Sequence, residues 1–400
     1  MKGAGTITLA AGGLPVLAAW LVALSGLAEA HRPITDVLAE VLAVLLLVLG
    51  WRFRRGRLTV AALALGLANF LARMPLADSP SEAGRAALAI LLPITLAVLS
   101  LLPERPISRP LILTLLGIVV IQAGLVAALD DSQSPIRNAV LTAGIGDLLA
   151  SPELARLVFL IAGAFIALAY AARHSTFEGS LLWVTAASAL AILAWQGPHA
   201  ATLAFAAAQL VLLIGLVEDS YRLAYHDELT GLPGRRALEE GLRALDGDFA
   251  IAMVDVDHFK RFNDRHGHAA GDQALRMVAA ELQKVGGGGR AYRYGGEEVA
   301  ILFPGATPAE VSKPLEDIRS AIANRRFALR SPDRPKKKPD PPRKPSRPPR
   351  LISVSVSIGF AGPTARTSDS SAVLRAADRA LYRAKNKGRN RVVRYGVRSG

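Results

Sequence analysis

The chain has 400 residues, enough for two or three domains, with 51% hydrophobic residues and a formal net charge of +14. It contains no cysteine, which excludes a disulfide framework, thiolate catalysis and any cysteine-ligated metal. Thirteen of the 47 Lys and Arg residues fall in the first 217 positions, so the basic excess belongs to the C-terminal part; beside membrane spans such an excess needs no nucleic acid to explain it, and none is expected as a partner.

Apolar runs of roughly the 20 residues that cross a bilayer recur near 8–27, 33–51, 58–76, 86–102, 110–129, 155–172, 179–195 and 200–217. They predict about eight spans forming an all-α membrane helix bundle over residues 1–217. Buried helices of a soluble core would be shorter and striped, whereas these runs are apolar all round. Trp51 to Arg57 is the densest basic loop, and Arg105 and Arg109 lie in the next loop but one. Loops of the other parity carry Glu29, Asp78, Glu82, Asp130, Asp131, Asp147 and Glu153. Basic loops face the cytoplasm, which predicts a multi-pass protein of the cell (inner) membrane with a cytoplasmic C-terminal domain and lipid as a partner. Ala28-Glu29-Ala30 reads either as a signal-peptidase site or as the loop after a retained first span. The run before it exceeds the usual signal core of about 7–15 residues, which favours retention. Glu40 and Asn69 fall inside the second and third spans, where a polar group marks a ligand or partner site by default; the plainer reading is that Glu40 reaches water. The 130–154 loop reads as a lid or as a tolerated insertion.

Mixed charge begins at Glu218. Residues 218–226 read as a connecting helix, Pro233-Gly234 as a turn, and Arg235 to Leu245 as a helix. "FAIAMVDVD" (249–257) is a short buried strand that ends in Asp255 and Asp257, which alternation places on one face. Strand-end carboxylates suit a hard cation such as Mg²⁺ at the edge of a phosphate site. A loop around Gly267 and a helix from near Ala270 follow, with Leu275, Val278, Leu282 and Val285 on its apolar face. "YRYGGEEVAILF" (292–303) then makes a β-hairpin. Its glycines either meet a positive-φ turn or admit a ligand close to the backbone. Alone, its two acids read as a solvated turn. Beside the Asp255 strand, Glu297 and Glu298 converge with Asp255 on one metal site, since juxtaposed carboxylates repel unless a cation neutralises them.

Six blocks in order, "DELTGLPGRR" (227–236), "VDVDHFKRFND" (254–264), "GHAAGD" (267–272), "RYGGEEV" (293–299), "VSVSIGFA" (354–361) and "ADRALYRAKNKGRNRV" (378–392), resemble the diguanylate cyclase domain named after its Gly-Gly-Asp/Glu-Glu-Phe (GGDEF) signature. The resemblance covers about 170 residues and leaves the membrane part unassigned. It implies an α+β, palm-like (nucleotide-cyclase/ferredoxin-like) domain over 227–400, with helices packed on one face of a mostly antiparallel sheet. It implies a homodimer in which two GTP condense to cyclic di-GMP and two pyrophosphates, with downstream cyclic di-GMP receptors. By that resemblance Asp255 and Glu297 would hold Mg²⁺, with Mn²⁺ an alternative, and the Val256 carbonyl would complete the shell. Glu298 would be a further ligand or deprotonate the attacking hydroxyl. Asn263 and Asp272 would read guanine, Phe259 and Lys260 would lie in the loop around the terminal phosphates, and Lys385 and Arg389, one turn apart if the helix persists, would contact those phosphates. Asp257 reads as structural, and His258, His266 and His268 as unmetallated.

Four positions depart from that pattern. Val299 stands where the signature has phenylalanine, and Gly234 where an asparagine is common; both motivate an alternative, a catalytically impaired GTP-binding membrane receptor. Gly286 and Gly289 occupy the positions of the Arg-x-x-Asp product-inhibition site, which predicts that feedback through it is absent. Residues 331–350 hold eight prolines and eight Lys or Arg and read as a disordered insertion between a helix near 308–328 and a strand near 351–361.

Overall fold

A computed structural model describes residues 4–25, 32–73, 82–106, 108–131, 133–143, 151–193, 198–328, 351–364 and 369–396. It divides into two compact units, Met1–Ser220 and Tyr221–Gly400. The 331–350 insertion and the Ala28–Ala30 site lie outside the described residues.

The first unit is helical: α1 Ala4–Leu24, α2 Arg32–Arg52, α3 Gly56–Arg73, α4 Glu82–Leu101, α5 Pro110–Asp130, α6 Pro135–Thr142, α7 Pro152–Arg173, α8 Thr176–Leu193 and α9 Pro198–Tyr225. All eight predicted spans are helices, but among the described residues only six, within α2, α4, α5, α7, α8 and α9, are long and apolar enough to cross a membrane. The expected count of about eight also includes α1, in which Gly12–Ala23 is a shorter apolar helix among the described residues, and α3, which carries Arg57, Asn69 and Arg73. The spans are apolar on both sides: in α2, Ala39, Leu42 and Leu46 face the core while Val37, Val41, Val44 and Val48 point outward. An outward face of valines is favourable against lipid and costly against water.

Polar groups inside this unit pair with one another at the helix ends. Glu40 is exposed and accepts from Arg73 at 2.9 Å, beside Asp36 at 3.2 Å. Asn69 is buried, and its Oδ1 has no hydrogen-bond partner. At the other end, Arg57 from the first turn of α3 donates to fully buried Glu178 of α8 at 2.8 Å, to Glu104 at 3.2 Å and to the Leu102 carbonyl at 3.0 Å. Its guanidinium also lies 4.4 Å over the Phe177 ring. Arg173 of α7 donates to Glu178 at 3.1 Å and to the Ser100 and Leu101 carbonyls that end α4. Arg55 reaches Asp219 of α9 at 2.5 Å. This end holds the basic loop Trp51 to Arg57.

The second unit contains α10 Arg235–Arg243, β1 Phe249–Val256, α11 Phe259–His266, α12 His268–Leu282, β2 Arg290–Arg293, β3 Glu298–Pro304, α13 Pro308–Asn324, β4 Phe327–Ala328, β5 Leu351–Ile352, β6 Val356–Ala361, α14 Ser370–Asn386 and β7 Val392–Arg394. The five-stranded sheet runs β2-β3-β1-β6-β7; β6 and β7 are parallel and the other neighbours antiparallel. β1 is buried at every position, as its unbroken apolar run requires when both faces of a strand are covered. On one face Ala250, Ala252 and Val254 meet α12 and α13 through Leu275, Val278, Leu315 and Ile318. On the other, Phe249, Ile251 and Met253 meet α10 and α14 through Leu238, Val373 and Leu381. Helices therefore cover both faces of the palm-like sheet, not one, because β1 has no polar alternation to leave a face wet. Gly359 of β6 sets the approach of α14, since a Cβ there would lie 1.9 Å from the Leu381 nitrogen.

Candidate active site

The end of the sheet between β1 and β3 gathers the charged residues. Antiparallel register sets Asp255 directly opposite Glu298, so their side chains share the face that α14 covers. Asp255 is 4% exposed and forms an ion pair with Lys385 of α14, Nζ to Oδ2 at 2.8 Å. Burial pushes its carboxyl above the usual carboxylate range, and the Asp257 charge adds to this, against the cations of Lys385 and Arg389. Glu297, in the turn before β3, is raised by burial first and then by the Asp255 charge. Glu298 and Lys385 also line an open cleft with Asp378, Tyr382 and Arg383, so Glu298 is reachable from solvent.

The signature turn is held from outside the hairpin. Tyr294 and Gly295 donate their N–H groups to the Glu298 carbonyl at 2.9 and 3.2 Å. Arg293 reaches forward to the Gly295 and Gly296 carbonyls at 3.2 and 2.6 Å and back to Asp227 at 2.5 Å. Asp227 also accepts from the Thr230 amide and hydroxyl at 2.8 and 2.6 Å. Burial acts to raise its pKa, and the bonds from Thr230 and Arg293 outweigh that, so the net shift is downward. Neither Gly295 nor Gly296 is among the positive-φ glycines. The positive-φ reading of these glycines therefore does not hold; nothing lies within 4 Å of a Cβ placed on Gly296.

The remaining predicted residues divide between the same site and the junction of α11 with α12. Asn263 of α11 and Asp272 of α12 flank Gly271, where a Cβ would collide with the Asn263 carboxamide at 1.8 Å. The Asn263 Oδ1 is buried with no partner, and Asp272 is half-buried, leaving polar groups to meet a ligand edge. Phe259 and the Val256 side chain belong to the core, whereas Lys260 is exposed. Val299 packs in the same core with Val254 and Ile301, as expected of the side chain after the acids. Arg389 does not continue the helix as the one-turn spacing supposed: α14 stops at Asn386, and Gly388, Arg389 and Asn390 follow with φ of 106, 61 and 44°. Its charge still acts on Asp255.

Two anchors escaped the sequence reading. Asp227 and Arg293 are 66 positions apart; the only local signal was the Asp-x-x-Thr opening of a turn. Asp257, read as structural, is buried and accepts from Ser355, Ser357 and the Asn390 amide. Among the described residues no three His, Asp or Glu side chains gather at metal-ligating distance, His258, His266 and His268 included. The donor set at the β1–β3 end, Asp255 and Glu297 raised by burial with the Val256 carbonyl between the two strand acids, is all oxygen and fits a hard divalent cation in chemistry.

Residues 224–337 match the family described as "Diguanylate cyclase, GGDEF domain". The chain is 38% identical over 185 residues to diguanylate cyclase DgcP of Pseudomonas aeruginosa, covering 44% of this chain and 25% of that protein. It is 35% identical over 174 residues to diguanylate cyclase VdcA of Vibrio cholerae, covering 42% and 47%. It therefore spans between a quarter and about half the length of these relatives. Among solved structures, the coiled coil and GGDEF domain of DgcB from Caulobacter crescentus, in complex with c-di-GMP, is 34% identical, with 46% of this chain and 91% of that chain covered and a TM-score of 0.39.

Proposed function

We propose that the C-terminal unit, in which residues 224–337 match the GGDEF family of diguanylate cyclase domains, makes the chain a membrane-anchored nucleotidyltransferase that forms cyclic di-GMP from two GTP as a homodimer. The observation that carries the reading is the register of Asp255 against Glu298, with Glu297 within its field and Lys385 on its carboxylate. In each half-reaction a 3′-hydroxyl oxygen bonds to the α-phosphorus of the other nucleotide, the bond to the bridging oxygen breaks, and pyrophosphate leaves with the electron pair. Glu298 takes the hydroxyl proton. Lys385 and Arg389 hold the leaving phosphates, and Asn263 and Asp272 orient guanine through the unpartnered Asn263 oxygen and the Asp272 acceptor. Asp255, Glu297 and the Val256 carbonyl would hold Mg²⁺ or Mn²⁺, which when bound supplies charge neutralisation at the phosphates. The first unit anchors the enzyme in the inner membrane with the catalytic unit cytoplasmic.

The test is turnover by the purified full chain in lipid nanodiscs with GTP and Mg²⁺. Cyclic di-GMP and two pyrophosphates per cycle are expected, and Glu298→Ala should abolish product while the chain still binds GTP. Binding without product in the wild type would replace the enzyme reading with that of a GTP receptor; unchanged turnover in Glu298→Ala would remove Glu298 from the mechanism.

A further inference from the structure

The turn after α14 is strained at residues that carry side chains. Gly388 sits at φ 106°, and Arg389 and Asn390 follow at 61 and 44°. Asparagine tolerates the left-handed region and arginine does so poorly. A turn that only had to leave the helix would hold glycine at 389. Strain of this kind persists only where the surroundings over-determine it.

Those surroundings are specific. The Asn390 amide donates to Asp257 Oδ2 at 3.0 Å. The same buried carboxylate accepts from Ser355 Oγ at 2.7 Å and from Ser357 Oγ at 2.6 Å. On the outer side Asn390 Oδ1 accepts from Arg319 of α13 at 2.6 Å, and Arg319 is braced by Glu316 at 2.9 Å. The Arg389 amide returns to the Ala384 carbonyl at 3.1 Å. The turn is therefore clasped between the β1 end, β6 and α13, by residues 133 and 71 positions away in the chain.

We propose that Asp257, Asn390 and Arg319 are positioning residues that hold the strained 388–390 turn so that Arg389 is presented to the β- and γ-phosphates of the bound nucleotide. This rests on the reading of the site as a GTP site. Asp257 acts through the Asn390 amide and touches no substrate. Its two serine bonds give both carboxylate oxygens a partner, which a carboxylate buried beside Asp255 requires. The clasp makes the triphosphate contact depend on the fold behind it rather than on a free side chain searching from a helix end.

The experiment compares binding of two ligands to the full chain in nanodiscs with Mg²⁺: GMP, and guanosine 5′-(α,β-methylene)triphosphate, whose methylene bridge blocks transfer. Arg389→Ala should weaken the triphosphate analogue roughly tenfold, the size of one charge-assisted hydrogen bond, and leave GMP unchanged. Asp257→Asn, which removes the charge from the acceptor of the Asn390 backbone N–H and replaces one of its two acceptor oxygens with a donor, should give a selective loss in the same direction. The double variant should be no weaker than Arg389→Ala alone, because both changes act on one contact. Arg319→Ala, at the solvent side of the clasp, tests the same idea if Asp257→Asn does not fold; a loss of about threefold for the analogue alone is expected. Wild-type affinity in both clasp variants, equal loss for GMP, or losses that multiply in the double variant would overturn the clasp. An Arg389→Ala protein that binds the analogue normally would overturn the nucleotide assignment and the clasp with it.

Discussion

Asp227 accepts from Thr230 and Arg293, and Arg293 holds the carbonyls of both signature glycines, so one carboxylate outside the hairpin steadies the turn that carries Glu297. Its pKa is held below the ordinary carboxylate value. A depressed folded pKa contributes stability above the unfolded value, and that contribution is lost as pH falls through the folded one. The protection of the Thr230 amide against hydrogen exchange, corrected for intrinsic rate, should therefore fall as the pH drops below about 4. In Asp227→Asn it should be lower by roughly tenfold at neutral pH and insensitive to acid, about 1.4 kcal/mol for a partly exposed charged bond. Wild-type protection in the variant would show that Arg293 holds the turn unaided. Asp255, Glu297 and Glu298 were legible because each sits at a strand end within a few residues of a turn. The Asp227–Arg293 and Asp257–Asn390 bonds join positions 66 and 133 apart, and no local pattern encodes such a pairing. The helical spacing assumed for Lys385 and Arg389 failed because a left-handed turn intervenes.

The tetraglycine segment is an element in its own right. Gly287 and Gly288 lie at φ 66 and 71°, and a Cβ on Gly289 would meet the Phe303 ring at 2.6 Å and Val285 at 2.8 Å. An aspartate cannot stand there without moving a core phenylalanine. Cyclic di-GMP added to the assay should therefore not inhibit through residues 286–289. Inhibition with product bound at 286–289 would contradict this. In the helical unit the corresponding fixed point is Arg57, whose side chain is 8% exposed and whose loss strands fully buried Glu178. Arg57→Ala should destabilise the bundle by about 3–5 kcal/mol, read as a lower thermal midpoint in detergent through tryptophan fluorescence. A midpoint within a degree or two of wild type would mean that Arg173 alone satisfies Glu178. The apolar runs predicted the helices because lipid-length hydrophobicity is a local property. They did not predict which helix is central, because Arg57 becomes burial-compatible only once Glu104 and Glu178 arrive from elsewhere in the chain.

Across the whole molecule the composition shifts at Glu218 and the two compact units meet after Ser220, while α9 runs unbroken to Tyr225. The sheet order and the second helical layer were less accessible, since the pairing of β1 with β6 joins segments 100 positions apart. Ala328 and Leu351, which flank residues 329–350 in the chain, are paired in the β4–β5 ladder. Because closing a loop costs only about 0.6 kcal/mol per doubling of its length, replacing 329–350 with a short Gly-Asn turn should preserve both the fold and turnover. Loss of cyclic di-GMP synthesis in that deletion would assign the segment a part in catalysis or assembly. If turnover survives that deletion, the β4–β5 ladder is a seam at which a fluorescent reporter or affinity handle can be spliced between Ala328 and Leu351 without disturbing the five-stranded sheet.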